Sequence, residues 1–208
     1  MGFDYQKDAD GIVTVTMDMD GQSANTMNDQ YHALMRETVE KLEAEKEMTG
    51  VVFASAKKTF FAGADLKVIL TLDGKDKSVF DHFEESKGFY RRLEKLPVPV
   101  VAAINGAALG GGFELCMACN RRIVVDDPSA IVGFPEVTLG LLPGAGGVVR
   151  SVAMLGLEKA LPILLEGKPL KPQAALALGL IDEVIESRDA LIPAAKAWIK
   201  TNPGAGAQ

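Results

Sequence analysis

Two glutamates stand alone in apolar, glycine-rich stretches. Glu114 is the only charged residue between Pro97 and Asn120 (PVPVVAAINGAALGGGFELCMACN), and Glu136 is the only one between Asp127 and Arg150 (within IVGFPEVTLGLLPGAGGVV). A carboxylate among valines, leucines and phenylalanines is expected to be buried, and a buried charge is costly unless it is paired or used. Two carboxyl groups held away from water are a standard way to run acid–base chemistry near neutral pH. Gly110, Gly111 and Gly112 stand just before Glu114. Glycines let a backbone come close to a ligand. A helix starting near Gly111 leaves N–H donors without intrahelical partners, free to point at a developing negative charge.

Alternating strands and helices must carry these residues, which predicts an α/β fold. Gly11 to Met19 alternates as a strand, and Asn28 is a fair N-cap for a helix running to about Lys46 with Tyr31, Leu34, Met35, Val39 and Leu42 on one stripe. Gly50 to Ser55 is a buried strand. Phe60 to Asp65 is a small-residue loop, Leu66 begins a short helix with Asp65 as its N-cap, and residues 73–78 form a polar loop. Val79 to Lys95 is an amphipathic helix with Phe80, Phe83, Tyr90 and Leu93 inward. Pro97 and Pro99 end it and lead into the central strand, Val98 to Ile104. Arg122 to Val125, Ala130 to Phe134 and Ile181 to Ile185 read as further strands. Helices are predicted over Val148 to Leu155, Glu158 to Leu165, Pro172 to Leu178 (capped by Gly179) and Asp189 to Thr201.

Composition sets the outer bounds. At 208 residues the chain is expected to form one domain, residues 1–201, with 202–208 (NPGAGAQ) having the composition of a linker. The net charge of −6 argues against nonspecific nucleic-acid binding. Two cysteines do not make a disulfide framework, and the polar start, MGFDYQKDADG, has no signal-peptide pattern. A bacterial cytoplasm is the expected compartment, with the mitochondrion as the other. Prolines, glycines and a central glutamate argue against a membrane span in residues 97–120.

Three segments together, FFAGADLK (60–67), INGAALGGGFEL (104–115) and FPEVTLGLLPGAGG (134–147), resemble the crotonase, or enoyl-CoA hydratase/isomerase, superfamily. The resemblance runs from Gly11 to about Ile185. It implies a right-handed spiral of ββα units and an acyl-CoA thioester as substrate, with coenzyme A entering as part of that substrate and no separate cofactor and no metal. Two backbone N–H groups would form an oxyanion hole; the matching residues are Ala64 and Gly111. Glu114 would activate the water that attacks C3, and Glu136 would deliver a proton to C2. Gly144 to Gly147 would help to position the water and pack against Glu136. Ala62, Asp65, Leu66, Lys67 and Gly144 match substrate- and CoA-binding positions, and Lys57, Lys58 and Lys67 are candidates for the CoA phosphates. The start of the chain, the LPGAGG segment and the ending are most similar to the N-terminal part of multifunctional members. In these a linker and an NAD-dependent 3-hydroxyacyl-CoA dehydrogenase follow, so the chain is expected to be a piece of such a protein. A thiolase subunit is the implied partner, and assembly into homo-oligomers is expected.

The reaction implied is 2-enoyl-CoA hydration in fatty-acid β-oxidation, with Δ3–Δ2 isomerase activity open to the same residues. Alternatives are a dedicated isomerase, which needs a single base, and a non-catalytic acyl-CoA-binding or assembly module. Cys116 and Cys119 form a CxxC inside an apolar helix and read as buried core thiols. His32 and His82 lack metal-ligand spacing and are expected at the surface.

Overall fold

A computed structural model of the chain describes residues 2–65, 69 and 77–207, apart from the side chains of Ser78 and His82. A six-stranded sheet forms the centre, in the order β1-β2-β3-β4-β6-β8. Its strands are β1 (Asp4–Lys7), β2 (Ile12–Met17), β3 (Gly50–Ser55), β4 (Val100–Ile104), β6 (Arg121–Val125) and β8 (Glu183–Ile185). Only β1 is antiparallel to its neighbour; the others pair in parallel, with Val51 opposite Val100, Val101 opposite Arg121 and Ile123 opposite Glu183. Parallel strands covered on both faces need near-continuous apolar runs. GVVFAS and VVAAI have that character and are buried almost throughout.

A second layer explains the spiral. After β4 the chain forms β5 (Ala108–Leu109) and then α3 (Gly111–Met117). After β6 it forms β7 (Val132–Gly133), a 3-10 helix (Pro135–Leu139) and α4 (Gly147–Leu155). β5 and β7 pair in parallel as a separate small sheet, and Phe61, after β3, bridges to Ala108 in the same layer. β4 and β6 are thus each followed by a small-sheet strand and then a helix, the repeat that the ββα expectation describes. The core includes Phe53, Phe60, Phe61, Phe113 and Phe134.

The helices begin and end for readable reasons. The Asn28 side chain accepts the Tyr31 N–H at 3.0 Å and starts α1 (Asp29–Ala44). Pro172 sits in the first turn of α6 (Pro172–Leu178), and Gly179 ends it with φ of 84°. The predicted proline-terminated helix is α2 (Lys77–Glu94), α5 covers Leu157–Glu166, and the last helix, α7 (Leu191–Thr201), lies on β3, β4 and β6. The tail returns to the body: Ala207 N–H donates to Leu96 O at 2.8 Å.

Several expectations are corrected. β1 is a strand, although its sequence DYQK is polar; it is an edge strand with one neighbour, and its residues are mostly exposed. Ala130 to Phe134 shrinks to Val132–Gly133, because the chain there turns into the second layer. Phe80 points outward, 63% exposed, while Tyr90 and Leu93 do face the core. His32 is buried, not at the surface: it lies where α1 meets α2, with Nε2 at 3.3 Å from Ser86 Oγ and its ring edge-on to Tyr31. The predicted helix start at Leu66, the loop over 73–78 and the His82 side chain lie outside the described residues. Among the described residues no helix is long and apolar enough to cross a membrane.

The loop that carries Ala64 hangs on one buried side chain. Asn25 accepts from Met19 N–H at 3.1 Å and donates to Met17 O, Ser55 Oγ and Phe60 O, while its own carbonyl takes the Ala62 N–H at 2.9 Å. Asn25 thereby ties β2 and β3 to residues 60–62. Replacing it leaves several buried groups unsatisfied, and each such group costs about 1–3 kcal/mol. Asn25→Ala is therefore expected to lower the unfolding free energy by about 3 kcal/mol in urea titration. The isosteric Asn25→Asp, which cannot donate to three acceptors, should cost at least as much.

Candidate active site

Glu114 sits in the first turn of α3 and is 2% exposed. Its Oε1 accepts two hydrogen bonds, from Ala145 N–H at 2.8 Å and Gly147 N–H at 2.7 Å. Both donors belong to the turn that opens α4, whose N-terminal end also offers a favourable dipole to an anion. Gly146 precedes the helix with φ of 106°, a conformation that suits glycine. Arg150 holds this turn from outside: its Nη1 donates to Ala145 O at 2.9 Å and its Nε to Glu94 at 2.5 Å. The LPGAGG turn was expected to pack against Glu136; its hydrogen bonds go to Glu114 instead. Nothing in the sequence distinguishes which of two isolated carboxylates receives those amides.

Glu136 lies in the 3-10 helix after β7. Its Oε2 is buried and has no hydrogen-bond partner among the described residues. A Cβ on Gly110 would lie 2.6 Å from Glu136 Oε1, and Gly110 has φ of 51°. Glycine is required there twice over, by backbone conformation and by space for the carboxyl.

Burial pushes Glu114 up to about 7; the neighbouring Glu136 charge adds to the rise, and the Gly147 and Ala145 amides and Arg150 oppose it. Burial also raises Glu136, opposed only by its own backbone N–H. Glu114 thus falls near the working range of a general acid or base, and Glu136 shifts in the same direction.

Glu114, Glu136, Ala64, Gly111 and Gly144 line one cavity of about 280 Å³. Its remaining walls are apolar, among them Met27, Val79, Phe83 and Leu142. Two of the lining residues, Ala64 and Gly111, have amides with no acceptor among the described residues. Met27 N–H donates to Gly63 O and Asp65 N–H to Met27 O, so the Ala64 amide between them belongs to the other side of the segment and takes part in no backbone bond among the described residues. The Gly111 N–H is the first donor of α3, and the Gly110 carbonyl in the same peptide accepts from Phe113 and Glu114 N–H at 2.8 and 2.9 Å. That polarises the Gly111 donor. A second cavity of about 150 Å³ continues past Ala64 and is lined by Ala62, Gly63 and Leu139.

The other sequence candidates are placed as follows. Asp65 follows Ala64 in the chain, and its carbonyl accepts the Ile69 N–H at 3.0 Å. Leu66 and Lys67 lie outside the described residues. Lys57 is engaged by Asp18 at 2.6 Å, and Lys58 is exposed. Cys116 and Cys119 are fully buried, as the apolar context implied. Met27 and Arg150 were not singled out in the sequence, and Phe83 was read only as an inward helix residue. Met27 and Phe83 look like any core apolar residue there, whereas Arg150, the charge that ends the second apolar run, was a visible signal. Among the described residues no group of three or more His, Cys, Asp or Glu is placed to hold a metal.

The model of the enoyl-CoA hydratase/isomerase family matches residues 7–202. The chain belongs to that family. It is 41% identical over 197 residues to a fatty acid oxidation complex subunit alpha from Idiomarina loihiensis, covering 93% of this chain and 27% of that protein. A subunit of the same name from Shewanella halifaxensis is 39% identical over 188 residues, covering 88% of this chain and 26% of that one. The chain thus spans about a quarter of the length of these curated relatives (27% and 26%). Among solved structures, the enoyl-CoA hydratase from Bacillus anthracis superposes with a TM-score of 0.87 at 29% identity, over 97% of this chain and 76% of that one. This agreement carries the crotonase-type α/β fold expected from the three motifs.

The buried carboxyl makes stability depend on pH in a definite direction. Between its ordinary value of 4.5 and about 7, the folded chain keeps a proton on Glu114 that the unfolded chain has released. Stability therefore falls as pH rises through that window and levels off above it, by up to about 3 kcal/mol. Glu114→Gln keeps an oxygen for both amides but cannot ionise. Its advantage over the wild type in denaturant unfolding should be small at pH 4.5 and grow to about 3 kcal/mol by pH 8. A pH-independent difference would show that Glu114 is not raised.

Proposed function

We propose that this chain is a 2-enoyl-CoA hydratase of fatty-acid β-oxidation, adding water in the syn sense across the C2–C3 double bond of an acyl-CoA thioester. The observation that carries the reading is the pair of raised carboxyls, Glu114 and Glu136, facing one apolar cavity that also presents the unused amides of Ala64 and Gly111. The thioester oxygen lies between those two amides, which stabilise the enolate formed when C3 is attacked. Glu114, held by Ala145 and Gly147 through Oε1, keeps Oε2 for a water and takes its proton as the hydroxide bonds to C3. Glu136 gives its proton to C2. The atoms of one water are then on the product, and return of the Glu114 proton to Glu136 resets the pair. The acyl chain runs along Met27, Val79, Phe83 and Leu142. The CoA arm leaves past Ala62 and Gly144, with Leu66 and Lys67 in the same segment, and coenzyme A is the only nucleotide required.

The same carboxyls support a Δ3–Δ2 double-bond shift, since either can carry a proton between C4 and C2 once the thioester is polarised. The curated relatives are named as alpha subunits of a fatty acid oxidation complex. A place in such a complex is part of this reading. There residues 1–201 act as the hydratase domain, the 3-hydroxyacyl product passes to a dehydrogenase, a thiolase subunit follows, and the assembly is oligomeric and cytoplasmic.

Absorbance at the enoyl-thioester band on mixing with crotonyl-CoA tests the reading. The wild-type signal should decay, and Glu114→Gln and Glu136→Gln should each slow it by about 10²–10⁴-fold, the usual worth of a positioned acid or base. Undiminished hydration in both variants would sink the assignment.

A further inference from the structure

The carbonyl side of Gly111 is held by a feature that neither the two-carboxylate chemistry nor the core requires. Tyr90 Oη, on α2, lies 3.0 Å from Gly111 O, and Tyr31 Oη, on α1, lies 3.0 Å from Tyr90 Oη. Both rings are fully buried. A carbonyl cannot donate, so Tyr90 must give its proton to Gly111, and Tyr31 must then give its own to Tyr90. The direction of the whole chain is fixed by its last member. Burial raises both phenols, so both stay protonated and the direction holds at any working pH.

Two phenylalanines would fill the same space without burying two hydroxyls, and that exchange is close to neutral in stability when both partners go together. The hydroxyls therefore call for another explanation. Glycine has no side chain by which its position can be fixed. Gly111 and Gly112 are pressed from the sides: a Cβ on Gly111 would lie 2.6 Å from the Met27 methyl, and one on Gly112 2.4 Å from Phe61 Cβ. Tyr90 supplies the remaining hold, on the peptide group itself.

We propose that Tyr90, with Tyr31 behind it, is a positioning residue for the oxyanion donor. Its hydrogen bond fixes the height and tilt of the first peptides of α3, so that the Gly111 N–H meets the thioester oxygen when charge develops. Tyr90 touches no substrate; it acts through Gly111. The proposal rests on the hydratase reading, because that reading gives the Gly111 amide its task.

The test compares wild type, Tyr31→Phe, Tyr90→Phe and the double variant in urea unfolding, in crotonyl-CoA hydration, and in the red shift of a bound cinnamoyl-CoA. That shift reports polarisation of the thioester carbonyl without turnover. Tyr90→Phe should lower kcat about tenfold with little change in KM and reduce the red shift. It should also lose stability, because it strands the Tyr31 hydroxyl. Tyr31→Phe leaves the Tyr90–Gly111 bond in place and should lose no more than about threefold in kcat. The double variant is decisive: it should regain stability yet keep the low kcat and reduced shift. A stable double variant with wild-type kcat and shift overturns the positioning role and leaves the hydratase reading standing. A wild type that binds the CoA thioesters but neither hydrates nor shifts them overturns the hydratase reading, and the positioning role falls with it.

Discussion

Glu114, almost fully buried, accepts two backbone N–H bonds at Oε1, and the site is built around that contact. A lone carboxylate at such depth is costly and would ordinarily be held neutral. Two short amide bonds from the start of α4 give back part of the hydration it has lost. They also leave the other oxygen uncommitted, so the group is fixed without being exhausted. The contact demands much of its surroundings. A Cβ on Gly147 would lie 3.0 Å from Glu114 Oε1 and 2.7 Å from the Phe134 ring, and Gly146 needs its left-handed backbone. Arg150, itself paired with Glu94, ties the Ala145 carbonyl and keeps the turn closed from the protein side.

The glycine run before Glu114 follows from the same need for close approach, with a different cause at each position. Gly110 takes φ of 51° and gives Glu136 its room, while Gly111 yields to Met27 and Gly112 to Phe61. Side chains at these positions would push apart the layers that bring the two glutamates into one cavity. The small sheet of β5 and β7 matters here out of proportion to its size. Gly110 N–H donates to Gly133 O at 2.9 Å, so the strand before Glu136 holds the loop before Glu114.

The two isolated carboxyls were easier to see in the sequence than the architecture around them. An isolated charge in an apolar run is visible at once, because burial and charge conflict wherever the chain goes. Helix caps such as Asn28 and Gly179 were legible because they act within a few residues. Contacts that join distant segments were not. The polar edge strand β1 exists because β2 offers it a free backbone edge, which no side-chain pattern reports. His32 is buried because α2 happens to cross α1 there, and its charged sequence neighbours gave the opposite impression. The short strands of the second layer carry too few residues to show a period. Tyr31 and Tyr90 read as ordinary stripe residues, since a stripe records which face is inward and says nothing about which atoms meet.

The two carboxyls are best understood as one titrating pair. Burial raises both, and the Glu136 charge raises Glu114 further. Their hydrogen-bond surroundings differ. Glu114 has two amide donors, which favour its charged form, and Arg150 adds a favourable field. Glu136 has a buried oxygen with no donor toward it among the described residues, which favours its neutral form. Under the proposed hydratase reading, these unequal surroundings separate the base, Glu114, from the acid, Glu136. In the proposed reaction a water against Glu114 adds a donor to its anion, while an apolar C2 beside Glu136 adds none. The division of roles needs no difference in residue type, only that the amides of the α4 turn face Glu114 and not Glu136.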